Sequence, residues 1–411
     1  MRPARVCGGY KFNRLVRHLE SKRQLRNGAD RPFTYQEGLP VTEFAHAMLR
    51  EIFEQPAAIQ RTLDLYLDSN GLKQDVFAPM EQWLNSRGEV LIAASGSSRH
   101  AGLAAEIIFE DLCGLAVDVE YSSEYSCRPA TNPRQPSVLV ISQSGETSDT
   151  LAALRFAKEG RQQTLAIANV PGSTMLREAG AAMPLAAGKE LAIPATKSFT
   201  CQLTALYLLA LYEGSWLGAF DPPQLEERIA EVRTLPAMIE RQLEGWRAEM
   251  KAVAGKVSDA ATFLFLGRGV HYAIAREGAL KMKESSYVTA EGYPTGELKH
   301  GPNALVSEHV PLVAVATVDR KVDDSVLRYE KTVQLLQDMK KQGARVIAIA
   351  NAGDREIPGL ATHCVFVEPA SEHLLPIPEV IPLQLFAYYM ALERGVNVDR
   401  PRNLSKAVIE A

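Results

Sequence analysis

Cysteine is scarce and scattered. The chain holds five (Cys7, Cys113, Cys127, Cys201 and Cys364), an odd number with no C-x-x-C pair. That argues against a disulfide framework and a structural zinc, and it fits a reducing, cytoplasmic setting. The eight histidines do not cluster at metal-ligand spacings either, so no metal is expected. No run of roughly 18 apolar residues occurs, which argues against a membrane span, and no apolar core of a signal peptide is present. An excess of positive charge is also missing. With 45 Lys and Arg against 49 Asp and Glu, the net charge is −4, and nucleic acid is not the expected partner. There is no G-x-x-x-x-G-K-[ST] and no G-x-G-x-x-G after the first strand, and the GRG at 267–269 is too short to count. Neither a P-loop nucleotide nor a dinucleotide cofactor is therefore expected.

What is present reads as a globular α/β protein. At 411 residues, 46% of them apolar, the chain is long enough for two domains. Its first 27 residues are rich in Arg and Lys, with Glu20 the only acid. Residues 1–44 read as an exposed basic arm lying across a partner subunit, with a transit segment or a nucleic-acid arm as alternatives. From Thr42 to about Leu67 the pattern is helical and broken near Pro56. Strand-like and helix-like segments then alternate: EVLIAAS, VDVEYSSEY, PSVLVIS and QTLAIANV are the strands, and TKSFTCQLTALYLLALYEG is a long apolar helix. Alternation of this kind predicts a parallel sheet covered on both faces. The order then returns. Strands near residues 92, 139 and 166 recur near 265, 314 and 348, and AIAN closes a strand in each half, at Asn169 and Asn351. The chain therefore reads as a duplicated α/β unit with a mainly parallel sheet of about five strands. The first domain is placed at 45–222 and the second at 223–411, with the boundary in GSWLGAFDPPQ and a charged helix after it.

One turn raises a chemical question. ISQSGETSDT (141–150) runs from an apolar strand into a helix through a cluster of hydroxyls: Ser142, Ser144, Thr147 and Ser148, around a single glycine, Gly145. SGSSRHAG (95–102) follows the first strand in the same way. Ligands of open α/β sheets sit beyond the carboxyl ends of the strands. Helix N-termini there offer free N–H groups and partial positive charge. Each hydrogen bond to a charged phosphate contributes roughly 1.5–3 kcal/mol, so several hydroxyls can hold a phosphomonoester without a lysine. Simple helix capping is the competing account. Glu146 is expected to point away from such a cradle. The equivalent loop of the second repeat, ATVDRKVDD, is acidic and lacks a serine before its helix, so only the first repeat is expected to bind phosphate there.

A second constellation is REGALKMKESSYVTAEGYPTGELKHGP (276–302). Glu277, Lys281 and Glu284 fall on one helical face at i, i+4 and i+7. Spacing alone favours a surface ion-pair ladder, but the helix around it is rich in Gly, Ala, Leu and Met, as in a buried helix. Burial would make these groups tune one another's pKa. The loop beyond holds Glu297, Lys299 and His300 before Gly301-Pro302. In the tail RPRNLSKAVIEA, Lys406 reads on composition as a solvated lysine.

These motifs together, SGSSRHAG, SQSGETSDT, ATKSFTCQL, GALKMKE, GELKHGP and RPRNLSK, resemble the isomerase half of glucosamine-6-phosphate synthase, from about residue 45 to the C-terminus. The resemblance implies two tandem SIS (sugar isomerase) domains, each a three-layer αβα unit. The glutaminase half of that family is not expected in this chain. The resemblance implies that Ser98, Ser142, Gln143, Ser144 and Thr147 hold the substrate phosphate. It gives Glu284 the proton transfer between C1 and C2, with Lys281 beside it. It has His300 assist ring opening from the other subunit of a dimer, and Lys406 form a Schiff base with the keto sugar. No cofactor or metal is implied. Ser95 and Ser97 stand where a cysteine and a threonine are usual, and Pro194 and Ser405 are further departures; these bear on substrate fit rather than reaction type. Three enzyme activities follow: synthesis of glucosamine 6-phosphate from fructose 6-phosphate and ammonia, the reverse deamination, or a deglycase on fructosamine phosphates. A non-catalytic sugar-phosphate sensor is the remaining reading, and it would have lost Glu284, His300 or Lys406.

Overall fold

The computed structural model describes residues 44–81, 83–84, 88–129 and 135–408. The basic arm, apart from Phe44, lies outside the described residues, as does Cys7. The chain enters through α1 (Ala47–Phe53) and α2 (Gln55–Tyr66). The predicted break falls at Glu54, and Pro56 sits in the first turn of α2, where its missing N–H costs no hydrogen bond.

Two five-stranded sheets follow. The first contains β1 (Glu89–Ala94), β2 (Ala116–Tyr121), β3 (Ser137–Ser142), β4 (Thr164–Ala168) and β5 (Ala181–Pro184), in the order β2-β1-β3-β4-β5. The second contains β6 (Thr262–Gly267), β7 (Thr289–Pro294), β8 (Leu312–Val315), β9 (Val346–Asn351) and β10 (His363–Val367), in the order β7-β6-β8-β9-β10. Every pairing in both sheets is parallel. The strands predicted near 92, 139 and 166 are β1, β3 and β4, and their repeats are β6, β8 and β9. VDVEYSSEY is extended only to Tyr121; Ser122–Ser126 turns into a short helix.

The connecting helices are α3 (Gly96–Cys113), α4 (Ser148–Glu159), α5 (Lys197–Trp216), α6 (Pro222–Val257), α7 (Val270–Ser286), α8 (Asp323–Lys341) and α9 (Pro376–Glu393). Residues of α5 are buried from Lys197 to Gly214 and those of α9 from Pro376 to Ala391. Helices apolar on all sides belong inside a protein, and both lie between the two sheets. One continuous apolar cluster there joins Ile92 and Phe199 of the first half to Phe263 and Phe386 of the second. Separate clusters cover the outer face of each sheet. The predicted boundary is a helix start. Asp221 accepts from Gln224 N at 2.8 Å and Gln224 Oε1 accepts from Asp221 N at 3.0 Å, so Pro222 and Pro223 open α6 behind a capping box. Packed on α2 and α9, α6 ties the two halves together.

Candidate active site

In the first sheet β1 and β3 are neighbours whose connections leave in opposite directions, and Ala94 pairs with Ile141. The two hydroxyl-rich loops therefore emerge side by side at the switch point, the position where open α/β sheets bind ligands. In the second loop Ser142 Oγ is 3.0 Å from Thr147 Oγ1 and 3.4 Å from Ser144 Oγ, and it accepts from Gly145 N at 3.1 Å. Ser144 Oγ accepts from Glu146 N at 3.1 Å. Gly145 has φ +67°, and a Cβ there would lie 2.1 Å from Ser173 Oγ, so only glycine fits. Glu146 does turn away: its Oε1 accepts from Thr174 N at 2.7 Å, at the start of a neighbouring short helix. Gln143 is half-buried and its carbonyl accepts from Asn169 N at 3.1 Å. In the adjoining loop Ser98 lies in the first turn of α3, buried, and its Oγ accepts from Gln202 Nε2 of α5 at 3.0 Å.

The ladder on α7 is not on the surface. Glu277 and Lys281 are fully buried and Glu284 is partly exposed. Lys281 Nζ is 2.5 Å from Glu284 Oε2 and 3.5 Å from Glu277 Oε1. Two carboxylates answer one ammonium, and His100 of α3 adds a hydrogen bond from Nδ1 to Glu277 Oε2 at 2.8 Å. Burial works to raise the Glu277 pKa, but the Lys281 charge and the His100 contact outweigh it and hold the carboxyl below its ordinary value. Burial likewise works against the Lys281 ammonium, and the charges of Glu284, Glu277 and Glu190 overcome it and raise its pKa. Helix α3 therefore carries Ser98 in its first turn and, two residues on, the histidine that locks the second domain's ladder in place.

The tail is folded across this junction. Asp399 caps α1 through Ala47 N at 2.9 Å and Met48 N at 2.8 Å, and its carbonyl accepts from Ile193 N at 3.0 Å. Arg402 N donates to Tyr287 Oη at 2.6 Å, and Val408 O accepts from Ser148 N at 3.0 Å, at the mouth of the serine loop. Lys406 is thereby drawn in. Its Nζ donates to Glu190 Oε2 at 2.6 Å and to the Ala192 carbonyl at 2.7 Å. Glu190 also accepts from Thr196 N, Ser198 N and Ser198 Oγ at 2.8–3.1 Å. Burial works to raise its pKa, and the Lys406 charge with these bonds lowers it. Beside it, burial and the Glu190 charge push the Glu51 carboxyl up to about 7. The solvated reading of Lys406 does not hold.

His300 stands apart. It ends a short 3-10 turn (Glu297–His300), exposed, and no hydrogen bond joins it to this cluster among the described residues. Its neighbour Lys299 pairs with Asp338 at 2.6 Å. Among the described residues, no group of three or more His, Cys, Asp or Glu is placed to hold a metal ion. Sequence reasoning missed His100, Glu190, Gln202 and Glu51. His100 lay in a motif already singled out, whereas Glu190 had no local signal, since its partners come from the distant tail.

The comparisons with known proteins agree with this architecture. The family described as the SIS domain matches residues 84–212 and 256–394. The glutamine–fructose-6-phosphate aminotransferase (isomerizing) of Chlorobaculum tepidum is 38% identical over 397 residues, 96% of this chain and 63% of the relative. That of Thermus thermophilus is 40% identical over 365 residues, 89% of this chain and 59% of the relative. The chain thus spans about three fifths of the length of these relatives. Among solved structures, the C-terminal domain of glucosamine-fructose-6-phosphate aminotransferase from Francisella tularensis matches with a TM-score of 0.80 and 33% identity, covering 88% of this chain and 100% of that one. A glucosamine-6-phosphate deaminase from Thermotoga maritima shares the fold at a TM-score of 0.65 and 22% identity.

Proposed function

The chain belongs to the SIS-domain family, as the isomerase half of the glutamine–fructose-6-phosphate aminotransferases, and from that premise we propose that it interconverts fructose 6-phosphate plus ammonia with glucosamine 6-phosphate. The observation that carries this reading is the pinning of Lys406 to Glu190 while Val408 of the same tail touches the serine loop. On this reading the Lys406 amine and the anion cradle act on one substrate.

Ser98, Ser142, Gln143, Ser144 and Thr147 hold the phosphate, and that binding energy positions the reacting carbons. Lys406 attacks C2 of the open keto sugar and water leaves as the imine forms, which acidifies the hydrogens on C1. Ammonia adds to C2 of that imine and the Lys406 amine leaves, so the nitrogen of ammonia stays on C2 as a ketimine. Glu284 then takes a proton from C1 and returns it to C2, converting the ketimine to the 2-amino aldose, with Lys281 holding the carboxylate; deamination is the same sequence reversed. His300 of a second copy assists ring opening, and the working unit is a homodimer in the cytoplasm.

The test is direct. Incubation with glucosamine 6-phosphate should release ammonia and fructose 6-phosphate, and incubation of fructose 6-phosphate with ammonium should yield the amino sugar. No turnover either way, with sugar-phosphate binding intact, would leave a sensor. Comparing the two rates at physiological ammonium reports the favoured direction.

A further inference from the structure

The duplication places one asparagine at each of two equivalent positions. In the first domain the amide of Asn169, just past β4, is used at both ends: Oδ1 accepts from Ala187 N at 2.9 Å and Nδ2 donates to Gly188 O at 2.9 Å. In the second domain Asn351, ending β9, uses only one. Its Oδ1 accepts from Val318 N at 2.6 Å, which fixes the orientation of the amide, and its Nδ2 is buried without a hydrogen-bond partner. Leaving a buried donor unmet costs about 1–3 kcal/mol. Asn351 is 6% exposed and lines a cavity of about 910 Å³ beyond the carboxyl ends of β8, β9 and β10, with the start of α6 as its far wall. This is where the serine loop sits in the first repeat. The volume is near the top of the range of roughly 300–1,000 Å³ seen for small-molecule pockets.

The walls carry charge of both signs, and the carboxylates are largely spent. Asp319 accepts from Lys321 N at 2.9 Å and Glu372 N at 3.3 Å. Asp354 accepts from Glu356 N, Ile357 N and Tyr329 Oη at 2.7–3.0 Å. Glu231 accepts from Ser371 N at 2.6 Å. Of the wall's lysines and arginines, Arg320 lies 3.7 Å from Asp354 and over the Tyr329 ring, and Arg228 lies over the Phe220 ring. Lys321 and Arg355 are exposed on the wall, with no carboxylate partner among the described residues. Asp323 and Asp324, which made this loop look hostile to anions, are not among the wall residues.

We propose that this cavity is a second ligand site, for a phosphorylated metabolite larger than a hexose monophosphate. Its phosphates lie on Lys321 and Arg355, an acceptor atom meets Asn351 Nδ2, and Glu227 and Glu356 take hydroxyl groups. The site is separate from the serine loop and does not depend on the proposed reaction.

Titration calorimetry of the full chain with ADP, and separately with inorganic pyrophosphate, tests it, each with and without saturating fructose 6-phosphate. Saturable binding of ADP is expected, tighter than pyrophosphate because the cavity has room for the nucleoside. It should be unchanged by fructose 6-phosphate and by Ser144→Ala, and at least tenfold weaker in the double variant Lys321→Ala/Arg355→Ala. Both side chains are exposed, so an unchanged melting temperature will show that the variant is folded. No saturable binding, displacement by fructose 6-phosphate, or full affinity in the double variant overturns the site; equal affinity for the two probes overturns the assignment of ligand size.

Discussion

At Lys406 the ammonium is held by Glu190 and by the Ala192 carbonyl, each within 2.7 Å. On the proposed mechanism, an amine so placed can be replaced without emptying the phosphate cradle. Lys406→Ala is therefore expected to abolish turnover while fructose 6-phosphate still binds, as read by calorimetry. Lys406→Arg should be equally inactive, since a guanidinium keeps the charge but forms no imine. The cradle behaves oppositely. Ser144 Oγ is half-buried and close to Ser142 Oγ, and losing one charged hydrogen bond of about 1.5–3 kcal/mol should raise KM roughly ten- to a hundredfold in Ser144→Ala. kcat should move far less, and an unchanged KM would remove Ser144 from the cradle. Away from the site, burial pushes the Glu213 carboxyl up from 4.5 to about 7, partly countered by the hydrogen bond from Trp83 Nε1 at 2.7 Å. A carboxyl that holds its proton more tightly folded than unfolded contributes stability below its unfolded pKa. That contribution drains away as pH rises through the folded value. Glu213→Gln should accordingly flatten the loss of stability between about pH 4.5 and 7, by up to ~3 kcal/mol, measurable by denaturant melts across that range.

The serine loop works as an element because its backbone is forced. Gly145 adopts φ +67° with Ser173 packed against its Cα. Gly145→Ala combines a left-handed backbone with a Cβ placed 2.1 Å from Ser173 Oγ, so the loop must move and the hydroxyls diverge. The expected result is loss of fructose 6-phosphate binding with the fold retained, and a crystal structure of the variant should show the Ser142–Thr147 contact broken. Elements of this kind were legible at different depths. β1, β3, β4 and their repeats are continuous apolar runs because both faces are covered. β5, β7 and β10 escaped notice because edge strands need less apolar character. β7 includes Glu291, Gly292 and Tyr293, and β10 begins at a half-exposed histidine. The α7 ladder was legible as a pattern of charges but not as buried, since spacing is the same on a wet face and a dry one.

At the scale of the molecule, two sheets sandwich a shared layer of apolar helices, so neither half completes its core alone. His300 is exposed, and among the described residues no hydrogen bond joins it to the Lys406 cluster of its own chain. If it serves a second copy, subunits carrying His300→Ala and subunits carrying Lys406→Ala should each be inactive alone. Mixed after reversible dissociation, they should recover about a quarter of wild-type activity, because half of randomly paired dimers are hybrids and each hybrid keeps one intact site. No recovery in hybrids verified by mass would place His300 in the site of its own chain, and full activity of His300→Ala alone would place it outside the reaction. The duplication, the parallel sheets and the hydroxyl loops were determined by the sequence itself, because strand burial, helix starts and turn glycine are local demands that leave local marks. The meeting of Lys406 with Glu190, of His100 with Glu277, and the unmet amide of Asn351 beside its cavity were decided only by the tertiary structure. Each joins, or leaves open, groups far apart along the chain, and a charge or donor has no partner until packing supplies or withholds one.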